Sequence, residues 1–370
     1  MKTVRRLLYT EVLTAIAFVT LAFLALFYFI DFVEEIEDVG KNGYTLVGAS
    51  LYTLLEVPGH FYELLPISVL IGAIYALSRL AQSSEFTILR TGGLSPGRAL
   101  WLLAVLGIGF AALTFVTGDY LAPLSDRAGA RLQASYRGDT RLKGAGAWLK
   151  DRQGPGLGDH NFSVNVQGVA GDGTLQSVRI FEFDADGRMV SRLSAATATV
   201  GRDGEWTLRQ VERTDWAGAD ESDAASVKES QLPQFEWRSS LSQNVVAAAL
   251  RPAATMSTVE LYRYTSHLSE NEQAAQRHEI AFWKKAFYPF ACIVMVALAL
   301  PFAYMHARSG GLSLRVFGGI MLGISFVLLN NVAGHVGLLQ NWTPWLISAA
   351  PPAFYLLLSL GAFSWLVRYR

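Results

Sequence analysis

The chain alternates between long apolar runs and short charged segments. Stretches free of Asp, Glu, Lys and Arg run over 12–30, 64–78, 99–118, 286–305, 316–334 and 336–367. Most reach or approach the roughly 20 residues that a helix needs to cross about 30 Å of hydrocarbon. The pattern therefore predicts six membrane-spanning helices. The last run contains Pro344, Pro351 and Pro352, so its span is shorter than its length. The second is the shortest, but Tyr44 to Leu55 can extend it, with a kink predicted where Pro58 and Gly59 interrupt the run.

Between the third and fourth runs the period changes. "NFSVNVQGV" alternates Phe162, Val164 and Val166, and "SVRIFEF" and "EWTLRQV" are further β-like runs. The turn signals "GDGT", "DADG" and "RDGE" separate them. This segment reads as one all-β domain of sandwich or jellyroll type. "AGADESDAAS" reads as a solvated loop, and "SENEQAAQRHE" as a helix leading back to the membrane. The predicted organisation is three spans in 1–118, the β domain in 119–277 and three spans in 278–370.

Composition agrees with a membrane class: 51% of the 370 residues are hydrophobic and 17% are charged. Charge sets the orientation. Lys2, Arg5, Arg6, Arg79, Arg90, Arg98, Arg308, Arg315, Arg368 and Arg370 all fall on one side of the predicted spans, whereas the opposite segment 31–63 holds only Lys41. The positive-inside rule then places both termini in the cytoplasm and the β domain across the membrane. The opening run is long and lacks a small-residue cleavage site, so it reads as a permanent span. The single cysteine, Cys292, lies inside span four, which excludes a disulfide framework for the β domain.

The motifs of catalysis are missing. No GxxxxGK[ST] phosphate loop occurs, so hydrolysis of ATP by this chain is not expected. The six histidines show no HExxH or Cys-His spacing, and no serine stands in a GxSxG setting. The chain reads as a non-enzyme that binds no cofactor, metal or nucleic acid.

One loop is longer than a connection requires. In "LAQSSEFTILRTGGLSPGRALW", between spans two and three, Ser83 or Ser84 can cap a helix whose first turn carries Glu85. Thr91, Gly92 and Gly93 end it, and Ser95-Pro96 starts the next span. Phe86, Ile88 and Leu89 give this helix, near 84–91, an apolar side beside the charges of Glu85 and Arg90. Such a helix either rests on lipid headgroups or docks a cytoplasmic partner that supplies energy.

The stretch "LLEVPGHFYELLPISVLIGAIYALSRLAQSSEFTILRTGGLSPGRA" closely resembles the LptF/LptG lipopolysaccharide export permeases, specifically the LptG branch. "GDYLAP" after span three, "EIAFWKKAFYP" before span four and the order of spans and β domain extend the resemblance over most of the chain. It implies a periplasmic β-jellyroll, and a coupling helix carrying Glu85, Phe86, Ile88, Leu89 and Arg90 docked on a cytoplasmic ATPase dimer, LptB. It further implies a partner permease, LptF, and the downstream partners LptC and LptA. Lipopolysaccharide would leave the inner membrane for a periplasmic bridge, with ATP and Mg used by the partner ATPase. A different class of reading, a membrane-anchored sensor whose β domain binds an envelope ligand, has no need of an ATPase dock. An integral-membrane lipid enzyme is a third reading, weakened by the missing catalytic motifs.

Substrate contacts are harder to place. "IDFVEEIEDVGK" carries Asp31, Glu34, Glu35, Glu37 and Asp38, where relatives are expected to be basic. These carboxylates either face water or bind divalent cations that bridge to lipid phosphates. Lys41, Lys284 and Lys285 are the candidate cationic contacts, with headgroup snorkelling the alternative. Asn330 and Asn331 in span five either line a cavity or bond a neighbouring helix, and Asp119 marks the end of span three.

Overall fold

The computed structural model describes residues 2–137, 146–152, 160–170, 173–201, 204–217, 226–241, 245–246, 249, 253–270, 275–304 and 311–368. The chain divides into two compact units, Met1–Gly129 with Glu279–Arg370, and Ala130–His278.

The first unit is helical. Helices α1 (Lys2–Ile36), α2 (Leu46–Gln82), the short α3 (Glu85–Thr91) and α4 (Pro96–Val116) precede the β region. A π-helical turn, Thr117–Leu121, joins α4 to α5 (Ala122–Arg137). The helical rod thus continues past the predicted end of span three at Gly118, and Asp119 lies buried in its π turn. Among the described residues, six helices are long and apolar enough to cross a membrane.

Helix α2 is the hub of this unit. Its C-terminal half is almost wholly buried, from Leu65 to Leu80, and α1 packs along it in the most extensive helix pair. A Cβ on Gly72 would lie 2.6 Å from the Cα of Ile16, so only glycine permits this approach of the two backbones. Tyr44 to Leu55 does extend the span, and α2 runs for 37 residues with Pro58 and Pro66 inside it. Packing by neighbouring helices compensates the bonds that proline removes. Its N-terminus is capped by Thr45, whose side chain accepts from the Gly48 amide.

In the second unit, β1 (Ala147–Arg152), β2 (Asn161–Val169), β3 (Leu175–Phe183), β4 (Met189–Val200), β5 (Glu205–Ala217) and β6 (Ser226–Arg238) form one antiparallel sheet in chain order. The alternation seen in the sequence becomes a buried row across four strands, Leu149, Val164, Ile180 and Leu193. The sheet curls until its two ends meet. Asp151 of β1 accepts bonds from the Ser239 hydroxyl, 2.7 Å, the Ser240 amide, 3.1 Å, and the Ser240 hydroxyl, 2.5 Å, just beyond β6. Phe162 of β2 reaches Trp237 of β6 at 5.6 Å between ring centroids. Trp237 meets buried Trp206 edge-on, and Trp206 donates to the Leu241 carbonyl. The result is an inserted all-β domain with a meander order and an enclosed aromatic core.

Helix α6 (Thr258–Glu270) follows, and α7 (Gln276–Ala303) resumes the first unit. The helix predicted over "SENEQAAQRHE" falls partly on 271–274, outside the described residues, as does most of the loop predicted over "AGADESDAAS". The chain closes with α8 (Leu312–Leu339) and α9 (Pro344–Arg368).

Candidate functional site

The segment between α2 and α4 is built to hold α3 still. Ser84 occupies the N-cap position with φ 62°, and its hydroxyl makes no capping bond. The predicted serine cap is therefore replaced by a left-handed turn at Ser84, with the amide of Ile88 bonding the Ser84 carbonyl at 3.1 Å. At the other end the Leu94 amide bonds the Leu89 carbonyl and the Gly93 amide bonds that of Arg90. With Gly93 at φ 98°, this is a Schellman termination, which needs glycine at the left-handed position. Ser95 caps α4 by accepting from the Arg98 amide, as its position before Pro96 predicts.

The apolar side of α3 divides in two. Phe86 is 2% exposed and belongs to the core of the helical unit, with Leu89 half-buried against it. Ile88 is 66% exposed, and Glu85 and Arg90 are also at the surface. Phe86 packs on Tyr304, just beyond α7, and the Arg90 guanidinium lies 5.1 Å from the centroid of the same ring. Tyr304 also meets Phe363 of α9 at 6.2 Å. One aromatic side chain thereby joins α3 to the ends of two long helices. Sequence reasoning missed Tyr304; its signal was only an aromatic at the end of an apolar run.

The candidate substrate residues disperse around the far end of the unit. Lys41, in the turn between α1 and α2, is exposed and ion-paired with Asp38 at 2.7 Å. Lys284 and Lys285 are half-buried on α7. The Lys284 ammonium lies against Gly334 of α8, where an added Cβ would come within 2.3 Å of Nζ. The Lys285 ammonium sits 5.7 Å from the centre of the Tyr62 ring of α2. Tyr62 in turn packs on Tyr288 at 4.8 Å, and the Tyr288 hydroxyl donates to the Glu63 carbonyl at 2.6 Å. Gly118, in the π turn, lies flat on Tyr62, where a Cβ would come within 2.3 Å of the ring. The two lysines thus point into helix interfaces and differ from the open, paired Lys41. Asn330 is half-buried and Asn331 exposed on α8, where the Asn331 carbonyl bonds His335 Nδ1 at 2.9 Å.

The acidic stretch does not behave as one face. Glu34 and Glu37 are exposed and Asp38 pairs with Lys41, but Asp31 turns to His60 of α2 at 2.6 Å.

Residues 6–368 match the family model described as "Lipopolysaccharide export system permease LptF/LptG". The chain is 30% identical over 337 residues to the lipopolysaccharide export system permease protein LptG of Escherichia coli K12, covering 90% of this chain and 89% of that protein. It is 28% identical over 343 residues to the protein of the same name from Haemophilus influenzae Rd, covering 92% of each.

Proposed function

Because the chain belongs to the LptF/LptG lipopolysaccharide export permease family, we propose that it is the LptG-type permease subunit of an ATP-binding-cassette complex. In this reading the complex extracts lipopolysaccharide from the inner membrane and passes it to a periplasmic bridge. The chain itself is the non-catalytic subunit; an LptB-type ATPase dimer binds ATP and Mg, an LptF-type permease supplies the second set of spans, and LptC and LptA receive the lipid. Both termini and α3 lie in the cytoplasm, and the β domain lies in the periplasm, as the distribution of Lys and Arg favours.

The observation that carries this reading is α3. It is a short helix clamped at both ends and seated on Tyr304, yet it presents Ile88, Glu85 and Arg90 outward. An interfacial anchor needs only an apolar face toward lipid, whereas transmission of force needs a helix fixed to the bundle on one side and open on the other. The Schellman turn, the Phe86 contact and the Arg90 contact supply that fixing. Exposed apolar residues on α1, such as Phe18 and Leu21, and on α8, such as Phe317 and Ile324, suit lipid or a second six-span chain.

The test is reconstitution. The chain alone should turn over no nucleotide, while vesicles containing it with its second permease and the ATPase should release lipopolysaccharide to LptC and LptA when ATP is added. Turnover by the isolated chain, or lipid release without the ATPase, would refute the assignment.

A further inference from the structure

Three metal-ligating side chains converge between α1 and α2, at the end of the helical unit remote from α3. One oxygen of Asp31, one of Glu56 and a ring nitrogen of His60 all lie within 4.8 Å of one another, and all three residues are half-buried. Glu56 and His60 stand four residues apart, so they share one face of α2. Asp31 approaches from α1 and touches His60 at 2.6 Å.

The two helices are fastened around this point. Phe27, one turn before Asp31 on α1, packs on the His60 ring at 5.1 Å between centroids. The Tyr28 hydroxyl and the Ser50 hydroxyl are 2.8 Å apart, which bolts α1 to α2 nearby. Tyr52 hydrogen-bonds Glu56, and Glu35 adds a further negative charge within electrostatic reach. His60 lies about 33 Å along α2 from Gln82 at 1.5 Å per residue, roughly one hydrocarbon thickness from the α3 end.

The Asp31–His60 bond explains two of these groups but not the third. The Glu56 carboxyl, which Tyr52 also bonds, keeps an oxygen within 4.8 Å of both the Asp31 oxygen and the His60 nitrogen. A cation held by all three would join the two helices through one centre.

We propose that Asp31, Glu56 and His60 bind a divalent first-row transition-metal ion, which ties α1 to α2 at this end of the bundle. The donor set selects the class of ion. An imidazole beside two carboxylates suits Zn2+ or a similar borderline ion, whereas Ca2+ and Mg2+ prefer oxygen alone. Zn2+ bonds of about 2.0–2.2 Å bring tetrahedral ligands to roughly 3.3 Å of one another, within reach of side-chain rotation from the present positions. Three protein ligands leave a further position for water or an anionic oxygen. No HExxH motif signals the site, because its i, i+4 pair is a glutamate and a histidine rather than two histidines. The site departs from the sequence reading, which assigned the chain no resident metal and allowed divalent cations at the Asp31–Asp38 stretch only as bridges to lipid phosphates, and it does not depend on the transport function.

The test uses the full-length chain, purified in detergent and stripped with chelator. Co2+ is added to read its ligand-field absorption, and Zn2+ affinity is measured by competition with a fluorescent chelator. Wild type should bind one equivalent, and Zn2+ should raise its Tm. His60→Ala, Glu56→Gln and Asp31→Asn should each weaken binding by about tenfold or more and abolish the Tm shift, while Asp38→Asn, outside the trio, should leave both unchanged. Glu56→Gln keeps the side-chain shape and remains the deciding variant should His60→Ala fail to fold. No saturable binding by wild type, or equal binding by Glu56→Gln, would overturn the proposal.

Discussion

Phe86 of α3 meets Tyr304 edge-on, with ring centroids 5.2 Å apart and planes at 83°. This contact reverses the role that amphipathicity alone gives to Phe86. It is an internal bearing, and the outward apolar contact falls to Ile88. Truncating Phe86 to Ala removes a fully enclosed ring, a change that costs about 3–5 kcal/mol. Phe86→Ala should therefore lower the thermal stability of the isolated chain as well as recovery of the ATPase complex. Ile88→Ala should leave the isolated chain unchanged and weaken assembly alone, by up to roughly 1.5–3 kcal/mol if Ile88 becomes fully buried in the complex. Glu85→Ala should have a smaller effect, since a rim ion pair is worth less than about 1 kcal/mol. Melting curves of the chain, set beside co-purification with the ATPase, separate the three. A normal melt for Phe86→Ala would contradict the bearing role.

The lysines divide by environment. Lys41 is already neutralised by Asp38, while Lys284 and Lys285 are drawn into the interfaces of α7 with α8 and α2. If phosphate groups of the lipid enter the bundle, the half-buried ammonium groups offer the stronger attraction, because screening is weaker there. Lys284→Ala and Lys285→Ala should reduce ATP-driven lipid release severalfold, and Lys41→Ala should reduce it little. Photo-crosslinkers at 284 and 285 should capture lipid; capture at 41 alone would reverse the assignment.

The order of elements was legible because it rests on period and length. A run such as 99–118 has few alternatives to a span, and "NFSVNVQGV" has few to a half-buried strand. Local punctuation was legible where its chemistry is strong, as at Ser95-Pro96 and Thr91-Gly92-Gly93. Long-range neighbours were not. Nothing local says that Tyr304 lies under Phe86, or that Asp31 reaches Glu56 and His60, since each pairing is made by helices meeting. The inward turn of Phe86 escaped notice for a related reason: three apolar residues in one helical turn cannot share a single face, and only the neighbouring helices decide which is buried.

Alkaline pH gives a separate readout on the second unit. Tyr264 of α6 is buried and packs edge-on against His278 at 4.9 Å. Burial pushes its phenol up from the ordinary value, because the charged phenolate loses solvation. A raised acid contributes stability that is fully present below its unfolded pKa of about 10 and is lost as pH rises through the folded value. Tyr264→Phe removes this dependence. The variant should match wild type in hydrogen-exchange protection of α6 near neutral pH and exceed it above about pH 10. Identical losses in both proteins at alkaline pH would place the sensitivity elsewhere.

Two glycines on long helices make opposite predictions from similar distances. A Cβ on Gly72 would stand 2.6 Å from the Cα and 2.7 Å from the backbone nitrogen of Ile16. Backbone atoms of a packed helix cannot step aside, so Gly72→Ala must push α1 away from α2 or distort both, at a cost of about 1–3 kcal/mol or more. A Cβ on Gly334 would stand closer still, 2.3 Å from Lys284 Nζ, but that atom ends a flexible side chain. Rotation of Lys284 relieves the clash, and the better helix propensity of alanine offsets part of the remaining cost. Gly72→Ala should therefore lower the Tm of the full chain by several degrees, while Gly334→Ala should leave it near wild type and alter lipid release by displacing the Lys284 ammonium. Measuring both properties on both variants distinguishes helix contact from lysine placement. A large stability loss in Gly334→Ala would mean that α7 and α8 are held by the Lys284 position itself.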